Sequence, residues 1–449
     1  MEREKFGSRL GFILISAGCA IGIGNVWRFP YVAGYYGGGI FVFFYILFLV
    51  LLGIPVLTME LSMGRASKSS IICAYNKLEK PGQKWHIHGF IAAAGNYVLL
   101  FFYTTVSGWM FGYFLKYANG SMTGVSDTKE LFSEVLTNPL QLIVWMVIIV
   151  LISGIICSLG LQNGVEKITK WLMLILLGLI VVLAVHSFTL PKAGAGIAYY
   201  LIPDINRVKE VGFFNMLIAA MNQSFFTLSI GQGSMMIFGS YIGKDRSLLS
   251  EGIQITALDT FVAVMSGFII FPACFSFDIS PDSGPSLIFI TLPKVFENMA
   301  GGRVWGALFF MFMTFAALST VIAVLENIIA CSMEKFKMSR KKSSIISIII
   351  LLIGSLPCIL GFNLWSGFTP LGAGSTILDL EDFLVSNIIL PFGSLVILFF
   401  CVTKYGWGFD NYIEECNCGN GMKMPRIFKN YFKFVLPLIV LFIGLNGLF

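Results

Sequence analysis

Three glycines, Gly18, Gly22 and Gly24, fall within seven residues of one long apolar run, and Asn25 and Pro30 follow. A second run contains Gly231, Gln232 and Gly233. Glycine inside a helix costs about 1 kcal/mol relative to alanine, so each cluster favours an interrupted helix. An interruption offers two kinds of ligand. The start of the second half-helix presents N–H groups to an anion such as a carboxylate. The unwound carbonyls present oxygen to a small hard cation. The alternative is close helix packing through small residues, and Gly18 and Gly22 have the spacing of such a face. Two interruptions in corresponding places of two repeated halves favour the binding-site reading. A small zwitterion or anion carried with Na⁺ would use both kinds of ligand. Asp259 adds a carboxylate inside another apolar run, where charge is costly and by default functional.

The elements that must position these residues are membrane helices. Of 449 residues, 57% are hydrophobic and 12% charged, where soluble domains carry about 45–50% and roughly 25%. So few charges exclude a large soluble protein, and the high hydrophobicity excludes disorder. The net charge of +6 sits in short clusters between apolar runs, which argues against a nucleic-acid partner. Eleven runs are long enough to cross a bilayer as helix: 9–34, 39–64, 87–118, 139–158, 165–188, 212–240, 247–277, 304–332, 343–361, 378–403 and 428–448. They are apolar on all faces and lack the ten-residue alternation of a β-barrel. The expected fold is all-α: one transmembrane domain over 1–449. It divides into a five-helix repeat at 9–188, a second at 212–403 and an additional helix at 428–448. Because five is odd, the second repeat is inverted, and the interrupted helices are the first and sixth.

Charge sets the orientation. The N-terminal segment and the loops on its side carry 22 of the 30 basic residues, among them Lys77, Lys170, Lys244, Arg340, Lys341 and Lys342. The positive-inside rule then expects a cytoplasmic N-terminus and an extracytoplasmic C-terminus in the cell membrane. The first run is too long for a cleavable signal and lacks a small-residue cleavage site. Most of the nine cysteines lie within runs, as small apolar residues. Cys416-Asn417-Cys418, His86 and His88 are thin evidence for a structural metal. No nucleophile–base pair or phosphate loop is evident, so an enzyme is not expected.

Longer motifs carry a resemblance. They are Arg9-Leu10-Gly11, the stretch Gly18-Cys19-Ala20-Ile21-Gly22-Ile23-Gly24-Asn25-Val26-Trp27-Arg28-Phe29-Pro30, and Gly37-Gly38-Gly39. Further on come Pro55 with Glu60 and Gly64, Phe225-Phe226-Thr227-Leu228-Ser229, and Ala316-Ala317-Leu318-Ser319-Thr320. With these the chain resembles, from about residue 3 to its end, the neurotransmitter:sodium symporters (solute carrier 6). Eleven runs resemble the bacterial branch, whose leucine transporter names the fold.

The resemblance implies two sodium sites. The first would use the Ala20 carbonyl, Asn25, Thr227 and Asp259, completed by the substrate carboxylate. The second would use carbonyls of Gly18, Ile21 and Ala316 with the hydroxyls of Ser319 and Thr320; bonding back to the preceding turn is the plainer role for those hydroxyls. Many relatives carry Asn where this chain has Asp259. One turn on, at Ala263, animal members carry a Ser that helps bind chloride, and some bacterial members a Glu. Asp259 is therefore expected to supply the fixed negative charge itself, and no chloride is expected. Asp259 could instead be protonated and packed, or carry a returning proton.

The implied substrate site has Tyr103 and the N–H groups of Gly22 and Gly24 at the carboxylate, with Phe226 closing over the ligand. Side-chain contacts would come from Cys19, Ile23, Leu99, Phe226, Ser229, Gln232, Thr320 and Val324. Monoamine carriers have Asp where this chain has Cys19, so an α-amino acid fits better than an amine. Gln232 stands where the leucine-binding relative has Phe, which frees room and adds an amide. That implies a larger, aromatic side chain, tyrosine favoured, although Gln232 could instead support the unwound backbone. Arg28 with Asp382 would form an outer gate, and Arg3 with Glu334, near Tyr241, an inner one. Phe6 stands where Trp is usual, and Glu60 and Glu326 have no assigned role. The expected function is sodium-coupled import of a hydrophobic amino acid by alternating access. A sodium-dependent amino-acid receptor on the same fold is the alternative. The partners are the amino acid, sodium and the lipid bilayer; oligomeric state is not read.

Overall fold

The computed structural model describes residues 4–125, 127–279 and 286–448. Among these residues the chain is helical, with one isolated bridge between Arg246 and Asn420. The first run forms α1 (Arg9–Ala20) and α2 (Ile23–Tyr35), bent by 55° at the break between them. Then come α3 (Gly39–Ser67), a short α4 (Ile71–Leu78), α5 (His86–Ala118), a short α6 (Thr128–Thr137), α7 (Pro139–Ser158) and α8 (Leu161–Phe188). Two short helices follow, α9 (Ala193–Leu201) and α10 (Ile205–Val211). The sixth run divides into α11 (Phe213–Thr227) and α12 (Ser234–Ser240). The chain continues with α13 (Leu248–Ser276), α14 (Leu292–Asn298), α15 (Gly302–Phe336), α16 (Arg340–Leu360), α17 (Ile377–Val402), α18 (Phe409–Cys416) and α19 (Arg426–Asn446).

Among the described residues, nine helices are long and apolar enough to span a membrane, and the bent α1–α2 pair makes ten. The run at 212–240 is the eleventh; its apolar length is shared by α11 and α12. The short helices α4, α6, α9, α10, α14 and α18 were not expected. They are too short for an apolar run to reveal, and local side-chain caps mark only two of them, α6 and α10. Asp127 and Asp204 accept the first N–H groups of α6 and α10.

Helix starts follow sequence chemistry elsewhere too. The Ser8 hydroxyl accepts from the Gly11 N–H at 3.0 Å and begins α1. Asn138 caps α7, and Pro139 occupies its first position, where a missing N–H costs nothing. Burial sorts the helices by role. In their most apolar stretches α15 is 83% and α5 72% buried, whereas α8 and α19 are each 33% buried. The first two therefore form the centre and the last two face the surroundings.

One end of the bundle is tied by a buried guanidinium. Arg65, at the end of α3, pairs through Nε with Glu415 at 2.6 Å. It also donates to the carbonyls of Glu415 and Arg246, the latter at 2.7 Å. Asn420 donates to the Asp245 carbonyl at 2.8 Å, and Ser247 donates to the Asn420 carbonyl at 2.9 Å. The segment after α12 and the one after α18 are thus joined through α3.

Candidate functional site

The first break is extended backbone, Ile21 at ψ 105 and Gly22 at φ −140. The Ile23 N–H donates to the Tyr103 hydroxyl oxygen at 2.9 Å. The Gly22 N–H, expected beside a substrate carboxylate, donates to Asn25 Oδ1 at 3.1 Å. A Cβ on Gly24 would come within 2.7 Å of the Phe226 ring, so glycine lets that ring lie against the start of α2.

The second break is more contorted. Gly231 has φ +104, and a Cβ there would meet the Leu390 carbonyl at 2.2 Å; only glycine fits. Ser229 also adopts a left-handed conformation, φ 49. Such strain persists where the surroundings hold it, often at binding sites. Glu60, on α3, supplies part of that hold. Its carboxylate accepts from the N–H groups of Gly231 at 2.5 Å and Met235 at 3.2 Å. These are donors that an interrupted helix leaves without an internal partner. Asn96 Nδ2 donates to the Gln232 carbonyl at 3.0 Å. The Gln232 side-chain amide is fully buried and has no hydrogen-bond partner at either its nitrogen or its oxygen. That weighs against a role in supporting the unwound backbone.

Two groups of oxygens gather around the first break. Asn25 Nδ2 donates to Asp259 Oδ1 at 2.8 Å, and Thr227 Oγ1 donates to Asp259 Oδ2 at 2.8 Å. Three side chains from α2, α11 and α13 therefore meet at one fully or nearly fully buried point. Ala20, at the end of α1, lines the cavity with Asn25 and Thr227. In the other group, Ser319 and Thr320 donate to the Gly18 carbonyl at 3.1 and 3.2 Å. Thr320 reaches the Ile21 carbonyl at 3.1 Å as well. Both hydroxyls also bond back to Ala316, at 2.9 and 3.4 Å. The hydroxyls thus bond back to the preceding turn while also meeting the carbonyls expected to share a sodium ion with them. The second group presents oxygen only, the donor type that a small hard cation takes, and its chemistry fits sodium. In the first, Asp259 and Thr227 supply oxygen, while Asn25 turns Nδ2 toward them and Oδ1 to the Gly22 N–H, so its amide must turn over to serve as a sodium ligand. The first contains a carboxylate, Asp259, and the second none.

A cavity of about 320 Å³ lies between the breaks. Its wall includes Cys19, Ala20, Gly22, Ile23 and Gly24 from the first run, and Phe226, Thr227, Ser229 and Gln232 from the sixth. Leu99, Tyr103 and Thr320 complete the expected set there. Val324, one turn beyond Thr320, is fully buried and lies outside the cavity wall. Trp27, Phe102 and Val106 also line it, as do Leu378, Val385, Ser386, Asn387 and Leu390 of α17. Phe102 and Val106 stand three residues beyond Leu99 and Tyr103 respectively, at helical spacing that would have found them. The α17 residues carry no such signal.

Arg28 and Asp382 line the mouth of the same cavity but form no ion pair with each other. Arg28 lies 4.9 Å from the Phe226 ring centre, and Asp382 accepts from Ser386 Oγ at 2.7 Å. Toward the other end, Glu334 accepts from the Ser70 N–H at 2.9 Å and from its hydroxyl at 2.8 Å. Arg3, its expected partner, lies outside the described residues. Tyr241 donates to Glu326 at 2.7 Å, and Arg340 pairs with Glu326 at 2.7 Å and with Glu4 at 3.1 Å. Glu326 is therefore a fully buried ion-pair partner. The Phe6 ring meets Tyr241 edge-on, 5.6 Å between centres.

Comparison with known proteins agrees with this geometry. The model of the sodium:neurotransmitter symporter family matches residues 3–126 and 129–449. An uncharacterized sodium-dependent transporter, YhdH, of Bacillus subtilis (strain 168) is 33% identical over 98% of this chain and 97% of its own. An uncharacterized sodium-dependent transporter of Haemophilus influenzae is 31% identical over 100% of this chain and 99% of its own. The crystal structure of MhsT in complex with L-phenylalanine superposes with a TM-score of 0.88 at 33% identity, covering 99% of this chain and 100% of that one. With two interrupted helices around a cavity and oxygen groups suited to sodium, this chain belongs to the sodium:neurotransmitter symporter family, a sodium-dependent membrane transporter of the leucine-transporter fold and not an enzyme.

Proposed function

We propose that the chain imports an aromatic amino acid, tyrosine above others, with sodium bound at two sites and without chloride. The observation that carries this reading is the buried, unpartnered amide of Gln232 in the cavity wall. An amide offers both a donor and an acceptor, and a phenolic hydroxyl needs both. Left unpaired, a buried polar group costs about 1–3 kcal/mol, so a ligand hydroxyl that engages it gains affinity. The solved relative MhsT was captured with L-phenylalanine, which supports an aromatic class. The substrate carboxylate would meet Tyr103 and the start of α2, and would complete the sodium group of Asn25, Thr227, Asp259 and Ala20. Asp259 would keep that group anionic without an external anion, since Ala263 offers no ligand.

Alternating access follows from two inverted repeats, 9–188 and 212–403, with a cytoplasmic N-terminus and an extracytoplasmic C-terminus. Substrate and sodium enter past Arg28 and Asp382, and leave on the side of Glu334 and Tyr241. The test is uptake of labelled tyrosine into proteoliposomes, with sodium or potassium outside and chloride or gluconate as anion. Sodium-dependent uptake that unlabelled tyrosine and phenylalanine inhibit, equal in both anions, is expected. Loss of uptake in gluconate would overturn chloride independence. Inhibition by leucine or alanine but not by aromatic amino acids would overturn the substrate class.

A further inference from the structure

A second cavity, of about 340 Å³, opens on the flank of the bundle between α4, α5, α15 and α16. Its wall includes Ala93, Ala94, Ile328, Phe336, Ile346 and Ile350. The wall contains three hydroxyl groups, those of Tyr97, Ser332 and Ser343, and Tyr97 and Ser343 turn to protein partners. Ser343 donates to the Ile329 carbonyl at 3.1 Å, and Tyr97 lies 3.4 Å from Ser347 Oγ. The remaining wall is chiefly apolar. On the two flanking helices, α5 and α16, Ile87, Phe90, Ile91, Ile345, Ile349 and Ile353 are each 41% exposed or more. Flanks so apolar belong in hydrocarbon.

The groove also has a depth and a charged end. Its α5 and α16 residues lie within the first three to four turns of those helices. At about 1.5 Å per residue this places them in one leaflet, near the basic side of the bundle. There the chain turns from α15 to α16 through Lys335, Lys337, Arg340, Lys341 and Lys342. Lys335 and Lys337 flank the wall residue Phe336, and Lys342 precedes the wall residue Ser343. Lys335 also stands 4.9 Å from the Phe90 ring on α5. Arg340 is held by Glu326 and Glu4, but no carboxylate among the described residues pairs with Lys335, Lys337, Lys341 or Lys342.

We propose that this groove binds an anionic glycerophospholipid, an acyl chain against Ala93, Ala94 and Ile350 and the phosphate at Lys335, Lys341 and Lys342. An apolar slot that ends in unpaired cations is complementary to that one class of molecule. A zwitterionic lipid would offer the chain but no net charge, and free phosphate the charge but no chain.

The experiment is native mass spectrometry of the full-length protein in detergent, with dioleoyl phosphatidylglycerol and dioleoyl phosphatidylcholine added in equal amounts. Preferential retention of phosphatidylglycerol is expected. Each of Lys335→Ala, Lys341→Ala and Lys342→Ala should lower that retention about fivefold, the worth of one cation near an anionic surface. Ala94→Trp, which fills the groove at an exposed position, should lower retention of both lipids. Inorganic phosphate should not displace the bound lipid. Equal retention of the two lipids, or lysine variants with unchanged preference, would overturn the charged end. Retention unaffected by Ala94→Trp would overturn the groove, and displacement by phosphate would overturn the lipid. Each variant is read only if its thermal unfolding midpoint in detergent equals that of the parent, and the two kinds of variant test the proposal independently.

Discussion

Asp259 and Gln232 carry the strongest predictions at the scale of single residues. Asp259 takes hydrogen bonds from both Asn25 and Thr227 at 2.8 Å, so its carboxylate is held where a cation would sit. Asp259→Asn removes that carboxylate and keeps the shape. The sodium concentration for half-maximal uptake should rise about tenfold or more, since a buried charged contact is worth roughly 1.5–3 kcal/mol. An unchanged sodium dependence would show that the carboxylate plays no part in ion binding. Gln232→Leu removes the buried, unpartnered amide from the cavity wall. Preference for tyrosine over phenylalanine should fall about tenfold, the worth of one hydrogen bond, with phenylalanine affinity held or improved. Competition against labelled phenylalanine reads both. At this scale much was legible, because glycine clusters and a mid-span carboxylate are costly enough to need a reason. Leu378, Val385 and Leu390 were not, because they read as ordinary residues of an apolar run and only the fold turns them toward the cavity.

At the scale of elements, the interrupted sixth run depends on a carboxylate from another helix. Glu60 satisfies the N–H groups of Gly231 and Met235. Glu60→Ala would leave both unpaired, at about 1–3 kcal/mol each, and should lower the thermal unfolding midpoint markedly. Glu60→Gln keeps an acceptor oxygen and should recover part of the loss. A midpoint unaffected by Glu60→Ala would mean that water or another group serves the break. The sequence marked Glu60 as an expensive charge inside a run. It could not reveal the partner, because Gly231 lies 171 residues away and no spacing rule joins them. The short helices α9 and α10 were missed for a different reason: α10 is held by its Asp204 cap and α9 by packing, neither of which leaves a periodic signal.

The whole molecule is best tested through its orientation and its ends. The odd number of runs is expected to put the two termini on opposite sides, and the charge pattern to put the C-terminus outside. Alkaline phosphatase fused after residue 448 should be active, and the same enzyme fused at the α15–α16 turn inactive. The reverse result would invert the proposed transport direction. The end that carries Arg340 has its own test. Arg340→Met would leave Glu326 buried without its cation, at about 3–5 kcal/mol, and should loosen the closure formed with Tyr241 and Glu4. Greater reactivity of Cys73, in the neighbouring cavity wall, toward a membrane-impermeant maleimide would show it. Eleven runs sufficed to read the membrane architecture, since bilayer thickness sets their length. The ion-pair end was not legible, because Glu4, Glu326 and Arg340 are far apart in sequence.

Arg65 has a mechanical consequence. It stitches the turn after α12 to the segment after α18, gripping Glu415 through two of its nitrogens and the Arg246 carbonyl through the third. A displacement of the inner half of the sixth run is therefore passed, as through a stiff coupling rod, to the lead-in of α19 at the periphery. A fluorophore attached near Cys418 would then report core motion from outside the transport path, in real time and without touching the substrate. Arg65→Lys, which keeps the charge but shortens the grip, should uncouple that signal from turnover.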